Sequence, residues 1–599
     1  MAKALINLKI NDIPISVEEG TTILEAAKKL NIKIPTLCDH PDLSVAGNCR
    51  VCVVEVKGAR YLQAACATPV AEGMEIFTNS QTVRQSRKHV IELLLSEHNA
   101  DCTSCTRNGK CELQDLAAEY HIFDRIFLDL LDPEKMIADI SSPAIKKDMS
   151  KCIHCQRCVR TCEELQYVSA LAVIGKGAEQ HVGTFFDYPL NEVVCTNCGQ
   201  CVLHCPTGAL TERNYIEEVW DVINDPTKHV VVQTAPAVRV AIGEELGFKY
   251  GTRVTGKMVT ALKRLGFDSV LDTDFTADLT ILEEGTELLT RLKKALVDKD
   301  PDVKIPMFTS CSPGWIKFME HLYPDMLGHL STCKSPQQMF GAVAKTYYAQ
   351  KKGINSKDMV VVSVMPCTAK KYEAQRPEMR SSGYQDVDYV LTTRELATMI
   401  KQAGIDFMSL PESDYDPLMG ESTGAGVIFG ATGGVMEAAL RTAYEIVTGR
   451  EVPFKNLEIT PVRGFDGIRE ATIKIEGTKP EWSFLEGVEL KVAVAHELAN
   501  ANKLVRAIKE GKLQYHFVEI MTCPGGCLGG GGQPYPVSWD IRQMRAQGIY
   551  SEDENLPLRK SHDNPEVMQL YEEYLGQPNS HKAHELLHTH YFPRKRYLN

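Results

Sequence analysis

Cysteine is the residue type with the most distinctive chemistry in this sequence. The chain has 20 cysteines among its 599 residues, and most stand in tight groups with two residues between neighbours. Two cysteines so close together cannot usually form a disulfide without strain, but they can hold one metal cluster. The spacing therefore predicts thiolates bound to metal in a reducing compartment, and we expect a cytoplasmic protein.

The first cysteine group is Cys38-x10-Cys49-x2-Cys52-x13-Cys66. Four thiolates in such a loop suit a 2Fe-2S centre, although the spacing differs from the plant-type C-x4-C-x2-C pattern. A structural zinc site is the alternative.

The second group adds a histidine, in the order His98-x3-Cys102-x2-Cys105-x5-Cys111. We expect a helix through residues 90–98, on which His98 and Cys102 would share one face because they are four residues apart. One imidazole and three thiolates match a structural zinc site as well as an iron–sulfur cluster. The residues alone leave these two alternatives nearly equal.

A run of four cysteines in the pattern C-x2-C-x2-C-x3-C begins at Cys152 and recurs 43 residues later, where Pro206 follows its last cysteine. In two-cluster bacterial ferredoxins the first three cysteines of each run bind one 4Fe-4S cluster and the fourth binds the other. A pair of zinc ions is the less favoured alternative. The two expected ligand sets are Cys152, Cys155, Cys158 and Cys205 for one cluster, and Cys195, Cys198, Cys201 and Cys162 for the other.

The elements that must position these groups change in character near residue 212. The chain opens with patterns of two strands and a helix, over residues 4–10, 13–17 and 22–30. Beyond residue 212, apolar runs at 230–232 and 360–362 predict buried strands, and a pattern at 436–447 predicts a long helix. Alternating strands and helices indicate an α/β domain.

The charge balance and the absence of other motifs exclude several classes of function. With 66 basic and 78 acidic residues the formal net charge is −12, which disfavours nucleic acid or an anionic membrane as a partner. No signal-peptide segment or membrane-spanning run is evident. No P-loop, dinucleotide fingerprint or flavin motif is present either, so nicotinamide chemistry would need another subunit.

Three loops in the second half of the chain carry a family resemblance: residues 309–315 (TSCSPGW), 365–373 (MPCTAKKYE) and 519–527 (EIMTCPGGC). With these loops and its cysteine groups, the whole sequence resembles the FeFe hydrogenases. Its amino-terminal part is also similar to the large iron–sulfur subunit of respiratory complex I. In both families a His-plus-three-Cys 4Fe-4S centre follows the 2Fe-2S domain, so the resemblance favours a cluster over zinc at His98.

The resemblance implies a multidomain protein of mixed α/β and α+β class. Its expected domains are a plant-type-like 2Fe-2S ferredoxin domain (1–79), a helical His/Cys3 4Fe-4S domain (80–125), a bacterial two-cluster 4Fe-4S ferredoxin domain (126–212) and a large α/β H-cluster domain (213–599).

The H-cluster that the family carries is a 4Fe-4S cubane joined through a cysteine sulfur to a diiron unit with carbon monoxide, cyanide and an azadithiolate bridge. By position, Cys527 would be the bridging thiolate, and Cys367 and Cys523 would be further cubane ligands. Lys370, a compact cation, suits a cyanide. The other residues expected around the cluster are Pro236, Ala237, Met365 and Met521.

One departure from the family pattern concerns the first loop, which usually reads T-S-C-C-P. Here Cys311 is followed by Ser312, so one thiol stands where the family has a proton relay and a cubane ligand. A serine alkoxide is a poor ligand for a cubane. In the alternative that we favour, Cys311 becomes the fourth ligand, and Ser312 or water relays protons. In the other, Cys311 remains the relay and Cys333 supplies the ligand. Cys333 could also be an inert buried thiol or a replacement relay.

The family's proton route maps onto four residues of this chain: Glu284, Glu287, Ser331 and Arg291. Glu284 and Glu287 are three residues apart and would therefore share one helix face. From the residues alone, a solvated helix face is the favoured alternative for this pair.

The resemblance thus implies an FeFe hydrogenase that reversibly reduces protons to dihydrogen. Its expected cofactors are an H-cluster, one 2Fe-2S cluster and three 4Fe-4S clusters. Its expected electron partner is a ferredoxin or a flavoprotein or NADH-linked subunit. The alternatives are a hydrogenase subunit of an NADH- or formate-coupled complex, and a low-activity hydrogen sensor or electron relay.

Overall fold

The computed structural model describes residues 4–123, 127, 137–309 and 311–597. The domain boundary expected at residues 125 and 126 and Ser310 of the first family loop lie outside the described residues. The boundaries expected near residues 79 and 212 stay predictions. Among the described residues, no helix is both long and apolar enough to cross a membrane.

The amino-terminal unit is a mixed sheet with one helix. Its elements are β1 (Leu5–Ile10), β2 (Ile13–Glu18), α1 (Ile23–Lys29), β3 (Val53–Val56), β4 (Gln63–Ala64) and β5 (Glu75–Phe77). The sheet order is β2-β1-β5-β3-β4, and Thr22 and Glu25 form a capping box that begins α1. The two strands and the helix expected at the start of the chain are confirmed to within two residues.

Two helices follow, α2 (Gln81–Ser96) and α3 (Glu112–Glu119). The expectation that His98 and Cys102 share a helix face is wrong, because α2 ends at Ser96. The physical reason is a competing tertiary contact: the Asn99 amide donates to the Ser150 carbonyl at 2.7 Å, which draws the chain away from the helical path.

The cysteine repeat is built from short elements around two small helices. They are β6 (Ile145–Lys147), α4 (Arg157–Arg160), β7 (Ala172–Ile174), β8 (His181–Gly183), α5 (Gln200–His204) and β9 (Leu210–Glu212). The strands pair antiparallel as β6 with β9 and β7 with β8. Gln156 and Gly199, 43 residues apart, precede α4 and α5 in the same left-handed conformation, with φ of 61° and 71°.

The large carboxyl-terminal unit contains two four-stranded sheets, with orders β11-β10-β13-β14 and β12-β17-β16-β15. The strands are β10 (His229–Thr234), β11 (Ser269–Asp272), β12 (Met307–Thr309), β13 (Met359–Met365), β14 (Tyr389–Thr392), β15 (Ile468–Lys474), β16 (Glu489–His496) and β17 (Phe517–Met521). All neighbours pair parallel except β15 and β16. The valine runs at 230–232 and 360–362 form buried strands, as their pattern predicts.

Helices surround both sheets. Their bounds are α6 (Ile216–Ile223), α7 (Thr255–Leu265), α8 (Thr273–Lys293), α9 (Pro313–Leu322), α10 (Pro336–Val343), α11 (Ala349–Lys352), α12 (Ala369–Ala374), α13 (Thr393–Gln402), α14 (Gly424–Val427), α15 (Gly434–Thr448), α16 (Leu498–Lys509), α17 (Trp539–Asn555), α18 (Pro565–Leu570) and α19 (His581–Leu587). The helix expected over residues 436–447 is α15. The long helix α8 carries Glu284 and Glu287.

The cysteine-bearing unit shares a core with the second sheet. Val168, Leu190 and Val202 of the repeat pack in one apolar cluster with Trp315 and Val518 of the carboxyl-terminal unit. Burial of apolar surface therefore fixes the repeat against the large unit.

Candidate active site

The four cysteines of the first group lie together under the amino-terminal sheet. The Sγ atoms of Cys52 and Cys66 are 3.4 Å apart, and the Cys38 thiol contacts those of Cys49 and Cys66. All four residues are buried, and each is a free thiol. This donor set is suited to one iron–sulfur centre.

The second group lies at the contact between α3 and the end of the repeat. His98 and Cys111 are buried. Burial raises the pKa of Cys111, and the charge of the nearby Cys105 thiol raises it further. A Cβ atom on Gly208 would lie 2.7 Å from the Cys105 sulfur, so this glycine permits the close approach of the two segments.

The repeat brings its eight thiols together in two sets. Cys162 lines an apolar cavity together with three cysteines of the second run, namely Cys195, Cys198 and Cys201. Burial raises the pKa of Cys162 to about 11. The charges of Cys152 and Cys205 act on the buried thiol of Cys155 and raise its pKa further. Each set thus joins three cysteines of one run to the fourth of the other.

The cysteine groups form a continuous series through the protein. Cys38, Cys49, Cys111 and Cys155, which come from three groups, belong to one buried cluster. At the other end, the Thr368 hydroxyl beside Cys367 donates to the Asn197 carbonyl at 2.8 Å. The repeat therefore contacts both the amino-terminal groups and the loop that carries Cys367.

The three family loops begin where parallel strands end. Residue 311 follows β12, Cys367 follows β13, and Cys523 and Cys527 follow β17. Ligand sites in α/β proteins form at the carboxyl ends of such strands because several loops converge there. Here the loops come from both sheets.

Four thiols meet at this convergence. The Cys311 and Cys527 thiols contact each other, and the charges of Cys367 and Cys523 act on Cys527. Burial raises the pKa of Cys367 to about 11, against the opposing effect of the Lys370 cation. Four free thiols in a buried, disulfide-free site are a donor set suited to a 4Fe-4S cubane.

The side chain at position 312 has a hydrogen-bond partner of its own. The Ser312 hydroxyl donates to the Thr522 hydroxyl at 2.6 Å and is buried. Thr522 immediately precedes Cys523, so this bond joins the first and third family loops. Ser312 thus lies close to the point where the three loops meet, and its hydroxyl is hydrogen-bonded to a neighbouring hydroxyl.

A cation and the polar side chains that hold it lie beside the four thiols. Lys370 Nζ lies 2.8 Å from Glu373 Oε2, and Glu373 also accepts from Gln337 and Ser335 at 3.2 and 2.9 Å. Motif reasoning missed Glu373 as the group that orients Lys370, although it stands in the second family loop. The other residues expected here, Pro236, Ala237, Met365 and Met521, are all buried.

The loop after Cys527 packs closely on its neighbours. A Cβ atom on Gly530 would collide with the Pro366 carbonyl oxygen, and one on Gly531 would lie 2.5 Å from the Cys198 carbonyl oxygen. Gln533 donates to the carbonyls of Ala237 and Cys527, both at 3.2 Å. Only glycine permits these approaches, which bring this loop against both Cys367 and the repeat.

A chain of hydrogen-bonding side chains leads along α8 to the first loop. Arg291 donates to Glu287 at 2.6 and 3.0 Å, and Ser331 donates to Glu287 at 3.1 Å. Glu284 accepts from Thr309 at 2.5 Å and also interacts with Ser331. Burial raises the pKa of Glu284 to about 7. Motif reasoning missed Thr309, which lies two residues before Cys311.

Cys333 lies away from the other four cysteines of the large unit. Its Sγ atom is 3.9 Å from Glu287 Oε2 and 4.0 Å from His588 Nδ1. Burial and the surrounding carboxylates raise the pKa of Cys333 well above its usual range. The structure therefore brings Cys333 to the α8 carboxylates and not to the convergence of the three family loops.

Comparison with known protein families decides what this arrangement is. Residues 228–531 match the carboxyl-terminal domain of the iron-only hydrogenase large subunit, and residues 539–594 match the iron hydrogenase small subunit. The chain belongs to the FeFe hydrogenase family. It is therefore an oxidoreductase that acts on hydrogen.

The amino-terminal part of the FeFe hydrogenase chain matches three further families. Residues 3–81 match a 2Fe-2S iron–sulfur cluster binding domain. Residues 87–125 match the NADH-ubiquinone oxidoreductase-G iron–sulfur binding region, and residues 142–211 match the ferredoxin-like domain of NADH-quinone oxidoreductase subunit 3. The multidomain fold expected from the sequence, with iron–sulfur relay domains before an H-cluster domain, is confirmed.

Similar proteins cover the whole chain. It is 51% identical over 599 residues to the NADP-reducing hydrogenase subunit HndD of Solidesulfovibrio fructosivorans, covering 99% of this chain and 100% of that one. It is 41% identical to iron hydrogenase 1 of Clostridium pasteurianum, over 97% and 99% of the two chains. The solved structure of an apo variant of the FeFe hydrogenase HydA1 from Chlamydomonas reinhardtii is 46% identical with a TM-score of 0.57, covering 64% of this chain and 100% of that one.

Proposed function

We propose that this FeFe hydrogenase interconverts protons and dihydrogen at an H-cluster held by Cys311, Cys367, Cys523 and Cys527. The observation that carries the proposal is the meeting of these thiols at the carboxyl ends of β12, β13 and β17. When bound, the H-cluster supplies the metal site at which protons and electrons combine.

We assign the fourth cubane ligand to Cys311. Its thiol contacts that of Cys527, whereas the Ser312 hydroxyl is bonded to Thr522 and Cys333 packs against Glu287. A thiolate is also the better ligand for iron in a cubane. On this assignment Ser312 or a water molecule takes the relay role that the family gives to a cysteine.

Protons reach this site through Arg291, Glu287, Ser331 and Glu284 in our proposal. Hydrogen bonds connect Arg291 to Glu287, Glu287 to Ser331 and Ser331 to Glu284. Glu284 is in turn bonded to Thr309. Glu284 suits an exchange step because a group whose pKa lies near 7 can both donate and accept a proton. Lys370 supplies a positive charge held in place by Glu373.

Four further iron–sulfur centres would carry electrons to the site in our proposal. These are a 2Fe-2S cluster on Cys38, Cys49, Cys52 and Cys66, and three 4Fe-4S clusters on the His98 group and the two sets of the repeat. The buried contacts between successive groups support one series of centres. The set that includes Cys198 is adjacent to Cys523, because the charge of Cys198 acts on that thiol.

We propose a nicotinamide-linked subunit as the electron partner. Support comes from the full-length relative that is named as a subunit of an NADP-reducing hydrogenase, since this chain has no nucleotide motif of its own. A ferredoxin is the other candidate partner. We also propose a cytoplasmic location, because the 20 free cysteines suit a reducing compartment.

Hydrogen evolution from reduced methyl viologen tests the enzymatic proposal. Protein matured with the diiron cofactor should evolve hydrogen, and a fully assembled protein without turnover would instead support a sensor or relay. Co-purification of the native protein identifies the electron partner.

Two variants test the assignment of Cys311. Cys311→Ala should abolish cubane assembly and lower the iron content, while the matched Ser312→Ala should retain all the iron. If Cys311→Ala keeps its full iron content and loses only turnover, Cys311 is the relay and our assignment is wrong.

A further inference from the structure

A second group of metal-ligating side chains lies between α8 and the residues that follow α19. Glu287, Cys333 and His588 each have one donor atom within 4.8 Å of those of the other two, and the Cys333 sulfur faces Glu287 Oε2 and His588 Nδ1. The Glu287 and His588 side chains are only 11% and 5% exposed, and Cys333 is buried. An oxygen, a sulfur and a nitrogen donor thus converge outside the four thiols of the active site.

The orientation of His588 is fixed by a neighbouring carboxylate. His588 Nε2 donates to Glu283 Oε2 at 3.1 Å, and Glu283 is held by the Tyr571 hydroxyl at 2.6 Å and the Asn579 amide at 2.8 Å. A proton on Nε2 leaves the lone pair on Nδ1, the nitrogen that faces Cys333. Histidine ligands of metals almost always carry such a carboxylate or carbonyl partner on the other ring nitrogen.

We propose that Glu287, Cys333 and His588 form a site for Zn²⁺ or a similar divalent cation that accepts mixed sulfur, nitrogen and oxygen ligands. Zinc–ligand bonds of about 2.0 to 2.3 Å in a tetrahedron separate the ligand atoms by roughly 3.3 to 3.6 Å. The Cys333 sulfur lies 3.9 and 4.0 Å from its two neighbours. Metal binding therefore needs small side-chain shifts and displacement of the Thr332 hydroxyl, which lies 2.8 Å from His588 Nδ1 and 3.2 Å from Glu287 Oε2. A tetrahedral ion would take water as its fourth ligand.

Binding exchanges one proton for the metal. The thiol proton of Cys333 leaves to solvent as the sulfur–zinc bond forms, and no oxidation or reduction occurs. The exposed ring of His584 stacks on His588 with ring centroids 4.0 Å apart, so the site lies next to a surface residue.

Occupancy of this site would interrupt proton delivery. Ser331 donates to Glu287 Oε2, the same oxygen that faces Cys333. A metal on this oxygen removes the acceptor and adds a positive charge beside the route. This effect on turnover rests on the proposed proton route, whereas the metal site itself does not.

The test uses the holoenzyme with added Zn²⁺ and has two readouts. Zinc K-edge X-ray absorption, which iron does not obscure, should show a bound fraction with one sulfur neighbour at about 2.3 Å. Cys333→Ala and the isosteric Cys333→Ser should lose that sulfur neighbour. Each variant's inhibition is normalised to its own zinc-free activity, and both should need at least tenfold more Zn²⁺ for half-inhibition.

Glu283→Gln tests the supporting carboxylate. Loss of an outer partner of a metal-binding histidine typically weakens metal affinity about 10- to 100-fold, and we expect a shift in that range. A wild-type spectrum without sulfur, or one unchanged in both Cys333 variants, would overturn the site. A Cys333-dependent zinc signal with undiminished turnover would support the site and overturn the proposed proton route.

Discussion

Two carboxylates one turn apart on α8 lie in contrasting surroundings. Glu284 is buried beside the hydroxyls of Thr309 and Ser331, without a cation in hydrogen-bond contact among the described residues. Glu287 is also buried, but two nitrogens of Arg291 donate to its Oε1 atom. The same residue type on the same helix is thus desolvated at one position and ion-paired at the other.

The contrast indicates how one helix can serve a proton route. Burial without a cationic partner disfavours the charged carboxylate and raises the pKa of Glu284 to about 7. Two guanidinium nitrogens that donate to one oxygen instead fix the position of the Glu287 carboxylate. We therefore expect the inner carboxyl to exchange protons and the outer one to position Ser331 and Arg291.

Replacing the inner carboxyl should have the largest effect. Glu284→Gln keeps the shape of the side chain but removes its proton, so turnover should fall by about 10²- to 10⁴-fold, the usual contribution of a proton-transferring group. The measurement is hydrogen evolution per assembled H-cluster, with iron content as a check on assembly.

Glu283→Gln is the matched control for this variant. Glu283 is equally buried on the same helix but faces Tyr571 and His588, so its loss should leave most of the turnover. An equal loss of turnover in the two variants would show that the effect comes from a disturbed helix and not from the Glu284 carboxyl.

The pH dependence should differ in sign between the two directions of the reaction. A donor acts in its acid form, so hydrogen evolution should fall as the pH rises through about 7, the raised pKa of Glu284. An acceptor acts as the carboxylate, so hydrogen uptake should rise through the same pH. On the sloping part of each pH profile, the limb, the rate should change by up to about tenfold per pH unit. Glu284→Gln should lack both limbs.

Breaking the outer ion pair should have a smaller effect. Glu287→Gln loses its charge interaction with Arg291, but the amide oxygen can still accept a hydrogen bond from Ser331 or Arg291. We expect turnover to fall by less than about tenfold, below the range for a group that transfers the proton directly. A loss as large as that in Glu284→Gln would show that the two carboxylates act alike.

The smallest expected effect concerns the hydroxyl at the inner end. The Thr309 hydroxyl donates to Glu284 and favours its charged form. Thr309→Val removes this bond, so the pKa of Glu284 should rise further, and the pH limbs should move upward by up to about one unit. Thr309→Ser keeps the hydroxyl and should leave the limbs in place.

The sequence predicted the cysteine groups well because their members are close along the chain. The two ligand sets of the 43-residue repeat were expected from its spacing and the ferredoxin pattern. They stay a prediction, which the placement of the thiols near one another supports. The helix expected through His98 failed for a tertiary reason: its path is interrupted by the bond from Asn99 to Ser150. A periodic pattern cannot indicate a contact with a distant residue.

The surroundings of the residues in the proposed proton route were harder to predict from the sequence. The spacing of Glu284 and Glu287 indicated a shared helix face, yet the pattern alone favoured a solvated one. Both side chains are buried, because Thr309, Ser331 and Thr332 pack against them. Their burial depends on segments that come from other parts of the chain.

The sequence by itself determined which residues could bind metal, the order of the iron–sulfur modules and the family to which the chain belongs. Only the tertiary structure decided that Cys311 meets Cys527 while Cys333 faces Glu287 and His588. The physical reason is the range of the interactions. A cluster loop is set by a few adjacent residues, whereas the active site depends on parallel pairings such as Thr309 with Glu519, which join segments far apart in the chain.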